Sequence, residues 1–239
     1  MAQGDPRTMT GAQTEAASID AGLRNHMLRV YNYMALGVAF TGAVALAVLS
    51  NQALFQIAQS LMLLWFIAVI GMGFVAPKIM MTKSTTAAQV CFWVHAALWG
   101  LLLAPVLSHY LAINPWIVPK AFFITTGAFA GTSLIGYTTK KDLSGMAAFM
   151  MMAMVGLLIA IVVNLFIGST LMSLLISCGV VLVMAGMTAY ETQEIKNMYS
   201  SGDSGNVAAS KAIFGAFQLY TSFVVMFIHI LNILGIMNE

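Results

Sequence analysis

The residues able to do chemistry are few, and they lie at the ends of long uncharged stretches. Between Asp142 and Glu191 there is no charged side chain; then Glu191, Glu194 and Lys196 follow one another closely in AYETQEIKNMYS, residues 189–200. Glu191 and Glu194 are three apart and share a face if the helix runs that far. Lys196 stands at offsets of five and two, which bring no side chains together. Acids at the C-terminal end of a helix gain nothing from its dipole. Glu191 must therefore be stabilised by water or by another helix. Two readings stand. It is a solvated acid at headgroup level without a role, or a titratable acid at the mouth of a path between helices, where ionisable groups mark ion routes. His95 and His229 are the other titratable groups inside apolar segments. Each is either hydrogen-bonded to a neighbour or a source of pH sensitivity, since histidine titrates in the physiological range. By depth they lie toward opposite sides, which makes them poor partners.

The elements that position these groups follow from composition. Hydrophobic residues make up 60% and charged residues 8% of 239, with a mean hydropathy of +0.90. Soluble domains carry about 25% charged residues. So little charge cannot cover a water-facing exterior, and the chain reads as an all-α polytopic membrane protein. Apolar segments of about 20 residues span a bilayer. Seven qualify: 31–49, 54–75, 90–107, 121–137, 146–167, 171–189 and 212–236. Residues 1–26 read as a cytoplasmic, largely disordered tail, with a short interfacial helix from Ser18, and 27–239 as the membrane domain. Loops are expected at 76–86, 108–120 and 138–144, and a flexible linker at 200–210. Of the ten Lys and Arg residues, alternation places only Lys120 on one side; the positive-inside bias then puts the N-terminus in the cytoplasm and the C-terminus outside.

Other features read as structure. Gly127 and Gly131 in GAFAG have the spacing that lets two helices approach, for packing within the bundle or, less favoured, at a dimer face. Ser144 is the expected N-cap of the fifth span, with Asp142 near its positive end. The 19 methionines, lacking Cys or His beside FMMMAMV, suit flexible packing better than copper, and Cys91 and Cys178 form no disulfide or zinc pattern. No HExxH or GxSxG occurs and no span contains an aspartate, so an enzyme is not expected. The last span lacks a lysine for a retinal Schiff base. A net charge of +2 gives no case for nucleic acid.

AYETQEIKNMY resembles the AYDTQxIK signature of the Bax inhibitor-1 family. AFFITTGAFAGTSLIGYTTKKDLSGM (121–146) and MLRVYNYMALGVAFTGAVA (27–45) are similar to that family's fourth and first spans. The resemblance implies seven helices with the last one central, surrounded by the other six. It implies a pH-controlled calcium leak with roles in stress response and suppression of cell death; among bacterial, YccA-like relatives it implies modulation of the membrane protease FtsH. The leak is attributed to two aspartates. The first position falls on Glu191, and the second, in LYTSFVVMF (219–227), on Ser222. Two nearby carboxylates can share a proton and make opening pH dependent. Ser222 removes that coupling, so a pH gate would rest on the desolvation of Glu191. One acid and one serine hold a cation weakly, since calcium takes six to eight oxygens. The expectations are then a bacterial inner-membrane protein with no cofactor and calcium as the transported ion. Glu191 is its metal contact; the bilayer and a protease such as FtsH are its partners.

Overall fold

The structure, a computed structural model, describes the backbone over residues 11–82 and 84–238 and the side chains over 21–81 and 84–238. Eight helices follow in order: α1 (Gly11–Leu49), α2 (Gln52–Ser60), α3 (Met62–Thr82), α4 (Thr85–Ile113), α5 (Ile117–Thr138), α6 (Ser144–Ile167), α7 (Thr170–Asn197) and α8 (Gly205–Ile236). Seven of them, α1 and α3 to α8, are long and apolar enough to cross a membrane. No strand occurs among the described residues.

The second expected span is divided. Residues 52–60 form the separate helix α2, which ends at Leu61, and the span proper begins at Met62. Gln52, Gln56 and Gln59 explain the division, because an amide side chain in hydrocarbon has no water to bond and costs several kcal/mol, of order 2–7. α2 belongs at the membrane surface, where Ala58 packs on Ala45, Val48 and Ala104. Asn51 caps it, accepting from the amides of Ala53 and Leu54.

Every other departure is a helix longer than its apolar core. α3 continues to Thr82 and α4 to Ile113, leaving only short connections where loops 76–86 and 108–120 were expected. α4 has 29 residues, about 44 Å at 1.5 Å per residue, which matches a bilayer with its headgroups rather than its hydrocarbon alone. α1 is already helical at Gly11, before the Ser18 start and inside the segment expected to be largely disordered; residues 1–10 lie outside the described residues. α8 starts at Gly205, so the flexible linker shrinks to a short turn held by Lys211, whose ammonium bonds Asp203 at 2.7 Å and the Met198 carbonyl at 3.0 Å. Between α6 and α7, Gly168 takes a left-handed conformation at φ 68° and Ser169 caps α7.

The last helix occupies the centre. α8 packs against α1, α3, α4, α5 and α7, and α6 packs on α7 alone, so the central helix is enclosed by five spans rather than six. Large buried side chains of α8, including Ile213, Leu219, Tyr220, Met226 and Leu231, fill the interior. The core divides into one cluster shared with α1, α3 and α4 and another shared with α5 and α7.

Candidate functional site: the seam between α7 and α8

α7 and α8 run antiparallel, and their contact carries polar groups at both ends. The end bearing Lys140, Lys141, Lys196 and Lys211 is here the basic end, and that bearing Lys120 the far end. α7 continues helically through Asn197, well beyond the apolar stretch, which turns Glu191 toward the bundle instead of ending it in solvent. Glu191 is 8% exposed, and its carboxylate accepts a 2.7 Å hydrogen bond from the Ser222 hydroxyl of α8. Glu191 is thus not a solvated acid at headgroup level. One turn on, Gln218 Nε2 donates to Glu194 at 3.3 Å, while Gln218 Oε1 is enclosed without a hydrogen-bond partner. Glu191 with Ser222 and Glu194 with Gln218 thus make two successive rungs between the helices.

No basic side chain forms an ion pair with either glutamate among the described residues. A buried charge normally requires a paired charge or several donors; Glu191 has one hydroxyl. A cation or a proton would complete it. The donor set is all oxygen, from two carboxylates, a hydroxyl and an amide carbonyl, which suits a hard cation such as calcium. Among the described residues no three His, Cys, Asp or Glu gather into a metal centre.

The remaining side of the α7 end is fixed. Gln193 accepts from the Leu143 amide at 3.0 Å and donates to the Lys141 carbonyl at 2.8 Å, clamping the turn between α5 and α6. Lys196, which had no partner within its own helix, donates to the Tyr137 carbonyl at 3.0 Å and lies over that residue's ring. Gly136 brings α5 against α7 so closely that a Cβ there would overlap the Ala189 carbonyl. Behind Glu191, Thr192 donates to the Thr188 carbonyl, so the Ser133 hydroxyl donates to Thr192 at 2.9 Å and Tyr31 to Ser133 at 2.7 Å. This chain joins α1, α5 and α7.

The other candidates fall elsewhere. His95 accepts from the Trp99 indole at 3.0 Å and packs on Phe217 and Tyr220, in the core between α4 and α8. His229 bonds Ser177 at 3.1 Å in the far half of the seam. Neither joins Glu191. Gly127 and Gly131 are a correction: both are exposed, and a Cβ on either would meet nothing within 4 Å, so they do not pack within the bundle. Helix α5 makes its tight approach at Gly136 instead. Ser144 is also corrected. It is the first residue of α6, and Asp142 accepts from its hydroxyl at 2.6 Å and its amide at 2.9 Å. Those two bonds, the hydroxyl's foremost, hold the Asp142 carboxyl below its ordinary range.

Sequence reasoning missed Gln193, Gln218, Ser177 and Asn232. A signal existed for two of them, Gln218 and Asn232. Gln218, Ser222, His229 and Asn232 recur at spacings of four, seven and three, one helical stripe of polar residues on an apolar helix.

A central helix, a seven-span bundle and an acid buried between the last two spans define an integral membrane protein built around an intramembrane polar seam. The chain belongs to the Bax inhibitor-1 family: the family model described as "Inhibitor of apoptosis-promoting Bax1" matches residues 23–239. An uncharacterised protein of Deinococcus radiodurans is 38% identical over 222 residues, covering 93% of this chain and 94% of that one. One from Rickettsia prowazekii is 35% identical, with 91% and 92% covered. The inner membrane protein YbhL of Escherichia coli is 31% identical over 220 residues, covering 90% and 93%.

Proposed function

We propose that this protein is a calcium-permeable cation leak whose path follows the α7–α8 seam, with Glu191 at its inner mouth. The observation that carries the reading is the Glu191 carboxylate, buried and, among the described residues, bonded only to Ser222 of the central helix and without a basic partner. Retaining a charge there is costly, and a passing cation would offset that cost. The middle of the seam, filled by Val180 and Met184 of α7 and Met226 of α8, is apolar and closed to ions. Conduction then requires α7 and α8 to part, and protonation of Glu191 competes with the cation for the same oxygens. The protein sits in a bacterial inner membrane with its basic end in the cytoplasm, as its Lys and Arg distribution and its likeness to YbhL suggest.

The test is calcium uptake into proteoliposomes between about pH 6 and 8, the range in which buried carboxyls and histidines titrate. Wild-type protein conducts, and Glu191→Gln conducts far less. Flux equal to that of empty vesicles would sink the leak and leave the second reading, a non-conducting partner of a membrane protease such as FtsH.

A further inference from the structure

The far half of the same seam holds a second set of polar groups, none of them charged. Asn232 of α8 uses its whole amide there. Its Nδ2 donates to Ser173 at 2.9 Å and to Ser177 at 2.8 Å, both on α7, and its Oδ1 accepts from the Tyr110 hydroxyl of α4 at 3.0 Å. Ser177, which accepts from Asn232, is also hydrogen-bonded to His229 Nδ1 at 3.1 Å. Gly235 seats the Tyr110 ring, since a Cβ at that position would overlap it. Three helices are thus tied in one knot with Asn232 at its centre.

The knot's position gives it a task. From Ser222 to His229 is seven residues, or about 10 Å along the helix, and that interval is the apolar stretch around Met226. A cation leaving Glu191 along the seam would cross this stretch and meet the knot next. While the knot is tied its oxygens are engaged with one another. Once α7 and α8 part, the Ser173 and Ser177 hydroxyls are released from Asn232 and present neutral oxygens to the seam, ligands suited to a hard cation. We propose that Asn232 pins the far end of the seam shut and that its release turns the knot into the exit station for the cation. This rests on the leak reading for what passes, while the pin itself can be tested without conduction.

The experiment compares wild type with Asn232→Leu by calcium flux in proteoliposomes and by amide hydrogen exchange across residues 229–236. Loss of the two hydrogen bonds that cross from α8 to α7 shifts a closed–open balance in lipid roughly tenfold, so flux rises by about that factor and exchange at the far end quickens. A Ser177→Cys/His229→Cys pair, in a Cys91→Ala/Cys178→Ala background, conducts when reduced and stops when oxidised. If Asn232→Leu does not fold, Ser173→Ala removes one of the two acceptors and is read in the same assays with a smaller rise. Wild-type flux and wild-type exchange in the folded variant overturn the proposal, as does an oxidised pair that conducts like the reduced one. Where wild type itself does not conduct, the leak is lost and exchange alone decides: quickening upholds the pin, unchanged protection overturns it.

Discussion

The Ser222 hydroxyl of α8 donates to the Glu191 carboxylate of α7 at 2.7 Å, with both residues buried. Thirty-one positions separate the two residues, and the bond joins the central helix to its most extensive neighbour. The chemistry at this contact can be separated from its architecture by substitution.

Glu191→Gln keeps an oxygen to accept from Ser222 and removes the charge. The bundle should melt no lower than wild type, because an uncompensated buried charge has been taken away. Calcium flux should fall at least about tenfold, as one lost charge-assisted ligand implies. Paired melting and flux measurements decide; parallel loss of both would assign Glu191 to folding alone.

Ser222→Asp would set a second carboxylate against the first. Two acids in contact share a proton and titrate as a pair, so flux should depend on pH more steeply than in wild type. A flux–pH curve of unchanged slope counts against the seam as the path.

Asp142 supplies a control for pH. The Ser144 hydroxyl and amide hold its carboxyl below the ordinary aspartate range. A depressed carboxyl contributes its stabilisation above the unfolded pKa and loses it as pH falls through the folded one. That window lies below about pH 4, and Asp142 stays ionised from pH 6 to 8. Asp142→Asn should therefore leave the flux–pH profile unmoved, whereas Glu191→Gln should flatten it.

Gly136→Ala would drive a methyl into the Ala189 carbonyl, while Gly127→Ala meets open space. The first should destabilise by about 1–3 kcal/mol, the usual cost of overpacking, and the second should be tolerated. Thermal unfolding of the two variants in one detergent reads the contrast.

Gln193→Ala would release both bonds that hold the Lys141–Leu143 turn. Trypsin should then cut after Lys140 or Lys141 several-fold faster, since proteolysis follows local opening. An unchanged rate would show that the Asp142–Ser144 contacts suffice to hold the turn.

The span count was legible because hydropathy over twenty residues is a strong signal. The ends were not, because helices run on through the headgroup layer, where polarity no longer distinguishes helix from loop. Three glutamines in 52–59 announced a surface helix, but the apolar residues between them outweighed that signal. The Glu191–Ser222 contact was suggested by resemblance rather than by spacing, as no local rule links positions on different helices. Gln193 was illegible for another reason: its partners are backbone atoms of a distant turn. Gly127 and Gly131 carried the right spacing on the wrong face. Spacing along one helix does not say which side a neighbour takes.

Helix α8 supplies the centre of the bundle with 32 residues, and it follows the seven other described helices. During synthesis the earlier spans must enter the bilayer and wait, five of them loosely gathered around a slot that nothing yet fills. Domains fold as their chain emerges, and this bundle cannot close until residues 205–236 have emerged. A stop near residue 205 would leave a hollow ring, so the α8 segment is the least expendable.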